Sequence, residues 1–112
     1  MENAFDATQF NNAVSIISLA FANSATKGLF VFESILIYKN DKTALDNLIM
    51  TLKSKLKSEQ DVNHSILERL IKNLEFVRNN ILNIEAYNIV KNVKEELMNE
   101  ISDKLLCFEN IL

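Results

Sequence analysis

One glycine and no proline in 112 residues leave this chain few means of turning tightly, because those two residues supply most of the special backbone geometry of turns. A sandwich or barrel needs many such turns, so the sequence predicts an all-α fold. Apolar residues make up 48% of the chain, enough burial to offset the entropy of ordering and to exclude disorder. The length suits one domain over residues 1–112. The expected architecture is a single-domain four- to five-helix bundle with a central, largely buried helix 1.

The longest apolar stretch, Ala13 to Tyr38, sets the first two elements. Asp6 with Gln9 three residues on reads as a capping box, and Phe5 with Phe10 as its hydrophobic staple. This start signal predicts a helix from Ala7 to Lys27, closed by Gly28 in a left-handed conformation. Phe10, Val14, Ile17 and Phe21 form its large-residue stripe. Ser15, Ser18, Ala22 and Ala25 form a small-residue stripe suited to a close helix neighbour. Leu29 to Lys39 is rich in β-branched and aromatic residues. A strand there has no second strand-like run to pair with, so a buried helix is favoured.

Further along, Thr43 with Asp46 marks a helix start, followed by an apolar face of Leu45, Leu48, Ile49, Leu52 and Leu56. Ser58 or Asp61 is the expected cap of a fourth helix with the stripe Val62, Ile66, Leu70, Leu74, Val77 and Ile81. Arg78-Asn79-Asn80 is expected to end it and Asn83 to cap a fifth helix, although no glycine or proline forces a break there. Val90, Val93, Leu97, Ile101, Leu105, Phe108 and Leu112 supply the core face of that last helix.

The residues for most chemistry are missing. A single glycine excludes a glycine-rich phosphate loop and a nucleophile elbow. One histidine and one cysteine, His64 and Cys107, fall short of a zinc site, and no Glu-x-x-His pair suggests a di-iron bundle. No cofactor, metal or catalytic residue is therefore expected, and the chain is read as not an enzyme. A lone histidine on a bundle helix is similar in placement to that of a histidine phosphotransfer domain, where a Lys and then a small residue follow one turn later. Here Leu67 and Glu68 hold those positions, and Glu68 would repel a phosphoryl group. Phosphotransfer through His64 is kept as a minor alternative.

The net charge of −3 gives no overall pull towards nucleic acid. The charge is unevenly spread. Residues 27–57 carry an excess of +3, with six lysines against Glu33, Asp41 and Asp46, whereas residues 58–112 hold six basic and ten acidic groups. Glu85, Glu96, Glu100 and Asp103 fall on one outward side of the last helix and form a candidate acidic ridge for a basic partner. Phe30, Phe32, Ile35 and Tyr38, with the off-stripe Met50 and Leu106, make a candidate contact surface.

The expectation is a small non-catalytic protein that acts by protein–protein binding, as an adaptor, an inhibitor or immunity factor, or an assembly subunit. A homo-oligomeric structural bundle is the main alternative. The lone cysteine and an acidic N-terminus without a secretory pattern point to the cytoplasm. No run reaches the roughly 20 apolar residues of a membrane span, so neither membrane nor nucleic acid is an expected partner. The abundance of Asn, Lys and Ile hints at an AT-rich bacterial, phage or viral genome.

Overall fold

Asp6 starts the first helix as the sequence predicts. Its carboxylate accepts the backbone N–H of Gln9 at 3.0 Å, and Phe5 packs on Phe10 with ring centroids 5.4 Å apart. The computed structural model describes residues 5–58 and 63–111, with side chains through Ile101. Five helices follow in order: α1 (Ala7–Ala20), α2 (Ala25–Tyr38), α3 (Lys42–Ser58), α4 (His64–Asn80) and α5 (Ile84–Ile111). There is no strand among the described residues. The all-α bundle is thus observed, and Leu29 to Tyr38 is helical.

The first helix is shorter than its start signal suggests. It stops at Ala20, not Lys27, and the chain turns through i→i+3 bonds: Phe21 N–H to Ser18 C=O at 3.1 Å and Ala22 N–H to Leu19 C=O at 3.2 Å. Ser24, outside helical geometry at φ −149° and ψ 85°, then opens α2, its carbonyl accepting the Gly28 N–H at 3.1 Å. Gly28 is not a terminator. It lies in the first turns of α2 with ordinary negative φ. An uninterrupted helix from Ala7 to Tyr38 would be apolar around most of its circumference. Breaking it turns two narrower apolar faces towards one core.

Only one side of α1 is buried, through Phe10, Ala13, Val14 and Ile17, while Leu19 stands 73% exposed. Helix 1 is therefore a wall of the bundle and not its centre. It packs on α4 and α5; α2 packs on α5, α3 and α4; and α3 packs on α4. The helices close a ring in the order α1–α4–α3–α2–α5. Inside it sit Phe10 and Ile17 from α1, Phe32 and Ile35 from α2, Leu45 from α3, Leu74 and Val77 from α4, and Val90 from α5.

The remaining helix starts are set by short polar side chains at positions shifted from those expected. Asp41, not Thr43, caps α3, accepting the Thr43 N–H at 2.9 Å. Asn63 caps α4, accepting the Ile66 N–H at 3.2 Å; Ser58 ends α3, and Asp61 and Val62 lie outside the described residues. Asn83 does cap α5, accepting from both Glu85 N–H at 2.8 Å and Ala86 N–H at 3.3 Å. That cap separates α4 from α5. The buried stripe of α4 is Leu67, Leu70, Ile71, Leu74 and Val77, and Ile66, in the first turn, is 58% exposed.

Across the α3–α4 seam, Lys53 pairs with Glu75 at 2.9 Å and Arg78 with Asp46 at 3.2 Å. The two pairs run in opposite sequence order, as antiparallel helices require. All four side chains keep partial solvent access, so each pair adds at most about 1 kcal/mol.

α2 and α5 approach closely at Gly28. A Cβ there would meet Leu97 Cδ2 at 3.2 Å and Phe21 Cβ at 3.3 Å. Alanine at this position gains helix propensity of about 0.5–1 kcal/mol, and the crowding offsets that gain. The expected result for Gly28→Ala is stability within about 1 kcal/mol of wild type. Gly28→Val forces α2 from α5 and should lose about 2 kcal/mol, read by urea unfolding followed by circular dichroism. A Gly28→Val protein as stable as wild type would contradict this packing.

Candidate protein-interaction surface

Helical phase decides which apolar residues of α2 are available. Phe32 and Ile35 fall on the inner face and are fully buried; they belong to the core and leave the expected contact surface. Phe30, two residues earlier and so about 200° round the helix, is 62% exposed. Tyr38 is half-buried against the core. The carbonyl of Phe30 accepts the Ser34 hydroxyl at 2.9 Å, which satisfies the one buried polar side chain found among the described residues.

Phe30 stands at the edge of a cleft between α2 and α3. Val31, Leu48 and Leu52 line its apolar part, Lys27 and Lys55 its rim, and Phe21 one end. Its volume is ≈ 400 Å³. Met50, the other exposed residue of the expected surface at 65%, does not line this cleft. The side chain of Leu106 lies outside the described residues.

A second cleft, of ≈ 530 Å³, lies between the α1–α2 corner and α5. Phe21 and Leu97 contribute apolar surface, Ser18, Ala22 and Ala25 keep it open, and Glu96 and Glu100 stand at its edge. The small-residue stripe therefore forms no helix seam along its length. Ser15 is exposed, and Ser18, Ala22 and Ala25 line a recess. The close approach falls to Gly28.

Of the expected acidic ridge, Glu85, Glu96 and Glu100 are exposed, and Asp103 has its side chain outside the described residues. His64 is the first residue of α4 and exposed; Glu68, one turn on, is exposed as well. Among the described residues no three His, Cys, Asp or Glu side chains gather as a metal site, and no helix is long and apolar enough to cross a membrane.

Sequence reasoning missed several exposed apolar residues, notably Leu82, Ile84, Ile37 and Met98. Leu82 and Ile84 flank the Asn83 cap, Leu82 in the turn between α4 and α5 and Ile84 as the first residue of α5. The signal available was the cap itself.

No family model matches the chain, and no curated protein or solved structure matches it at a significant level.

The two phenylalanines of α2 separate core from surface experimentally. Phe32→Ala should cost about 3–5 kcal/mol, whereas Phe30→Ala should stay within about 0.5 kcal/mol of wild type. Chemical denaturation of both variants checks this, and equal losses would contradict the helical phase assigned to α2.

Proposed function

We propose that the protein works without catalysis, by binding another protein through the surface around Phe30. The observation that carries this reading is a large aromatic side chain held 62% in solvent beside an apolar cleft that the described residues leave open. Phe30 sits on a helix whose inner face is locked in the core, so the ring is presented on a rigid backbone and little further ordering is needed on contact. The cationic rim of Lys27 and Lys55 would steer and orient a partner, while the apolar contact would supply most of the affinity. The roles that suit such a module are adaptor, inhibitor or immunity factor, and assembly subunit, in the cytoplasm.

Phosphotransfer through His64 has weaker support. Glu68 follows on the same exposed side of α4 one turn later, where its charge would oppose a phosphoryl group.

Affinity capture from an extract of the native host, analysed by mass spectrometry with wild type and Phe30→Glu as parallel baits, tests the proposal. The expected result is a partner retained by wild type and reduced at least about tenfold by the substitution. Capture that is absent, or equal for the two baits, would count against it.

A further inference from the structure

The α2–α3 cleft beside Phe30 carries charge of one sign. Lys27 and Lys55 are its charged residues, and no acidic side chain lines it. Two other clefts that hold lysines hold acids as well. Glu33 and Glu95 stand with Lys91 and Lys94 between α2 and α5, and Glu68 with Lys53, Lys57 and Lys72 between α3 and α4. Lys27 and Lys55 are exposed, and among the described residues neither is in an ion pair. In a chain of net charge −3, the cleft is thus locally cationic.

Its walls are two helix faces. On α3, Leu48, Thr51, Leu52 and Lys55 recur at steps of three, one and three. That spacing makes one face two turns long, or about 10 Å at the rise of an α-helix. On α2, Lys27 and Phe30 stand one turn apart on a shared face, with the buried Val31 next to Phe30. A groove between two packed helices is shaped to take the side chains of a third. Adding a strand instead needs an exposed sheet edge, and there is no strand among the described residues.

We propose that the cleft seats an acidic amphipathic helix of another protein. Apolar side chains of that helix, three or four residues apart, pack on Phe30, Leu48 and Leu52, and carboxylates flanking them face Lys27 and Lys55. This inference rests on the protein-contact reading above and names the chemistry of the partner. The lysines are exposed, so they select the sign of the partner and set the salt dependence, while the apolar contact sets the affinity.

Selection from a display library of helical peptides tests it, with wild-type protein as the immobilised target. The library fixes leucines along one helical face and randomises the flanking positions among Glu, Lys, Ser and Gln. Enriched sequences should be acidic at the flanking positions. Binding of an enriched peptide is then measured by fluorescence anisotropy against wild type, Phe30→Ala, Lys27→Glu with Lys55→Glu, and Lys42→Glu with Lys91→Glu as a control of equal charge change. All the substituted side chains are exposed, and thermal unfolding confirms that each variant is folded. Phe30→Ala and the Lys27, Lys55 reversal should each weaken binding at least about tenfold. The control should change it less than about threefold in ~0.15 M salt, where the Debye length is about 8 Å. The same peptide with its acids replaced by lysine should bind the Lys27→Glu, Lys55→Glu protein at least about tenfold more tightly than it binds wild type. A merely structural effect of the substitutions would not produce that reversal.

A library that yields no enrichment overturns the inference. So do enriched sequences that are neutral or basic, and an acidic peptide indifferent to Phe30→Ala or to the lysine reversal. Two further outcomes give the cleft to another occupant and overturn it equally: dimerisation in sedimentation equilibrium, or sedimentation with phosphatidylserine vesicles, when either is lost in those same variants. Phe30-dependent capture of a host protein alongside a failed selection would sink this inference and leave the proposed function standing; a failed selection with no capture would sink both.

Discussion

The turn at residues 21–24 is the constraint on which the remaining structure depends. A helix carrying Phe10, Val14, Ile17 and Phe21 on one side and Phe32 and Ile35 further on could not bury all of them while continuing straight. Ending α1 at Ala20 and restarting at Ala25 lets Phe10 and Ile17 meet the core from one wall and Phe32 and Ile35 from another. Helix packing follows from that division. α2 acquires three neighbours, α1 two, and the ring closes through α4 and α5. The same turn leaves Phe21 half-buried at a corner and opens a cleft on either side of it.

Charge plays a lesser part in the fold. Lys53–Glu75, Arg78–Asp46 and the longer Lys94–Glu33 contact at 4.0 Å join neighbouring helices at the surface, where solvent screening keeps each contribution small. Lys39 lies 4.6 Å above the Tyr87 ring, tying the end of α2 to the start of α5. The lysines and glutamates lining the two clefts take no part in this network among the described residues.

Much of the architecture was legible in the sequence, and unevenly so. The Asp6 cap, the Phe5–Phe10 staple and the Asn83 cap were read correctly because each is a local pattern of a few residues with one dominant backbone solution. The starts of α3 and α4 were read a few residues late or early, since Asp41 and Thr43, or Ser58, Asp61 and Asn63, are chemically interchangeable as caps; helix packing chose among them. The end of α1 was misread for a different reason. Gly28 is the only glycine and resembles a terminator, but its missing side chain serves the approach of Leu97 and Phe21. Of the expected contact surface, Phe30 and Met50 are exposed and Phe32 and Ile35 are core. A segment apolar on nearly every side carries no phase of its own.

By itself the sequence determined the fold class and the helical nature of its segments. Scarce glycine and proline, helical spacing of apolar residues and cap chemistry are all local, and local terms suffice to specify helices. It also determined the separation of charge between residues 27–57 and 58–112. Only the tertiary structure decided where the long apolar stretch breaks, which face of α2 is buried, and that Phe21 joins an acid-edged cleft to a base-edged one. Those outcomes depend on neighbours distant in sequence, above all on α5 closing against α2 at Gly28, and no local pattern encodes the position of a helix some seventy residues further along the chain.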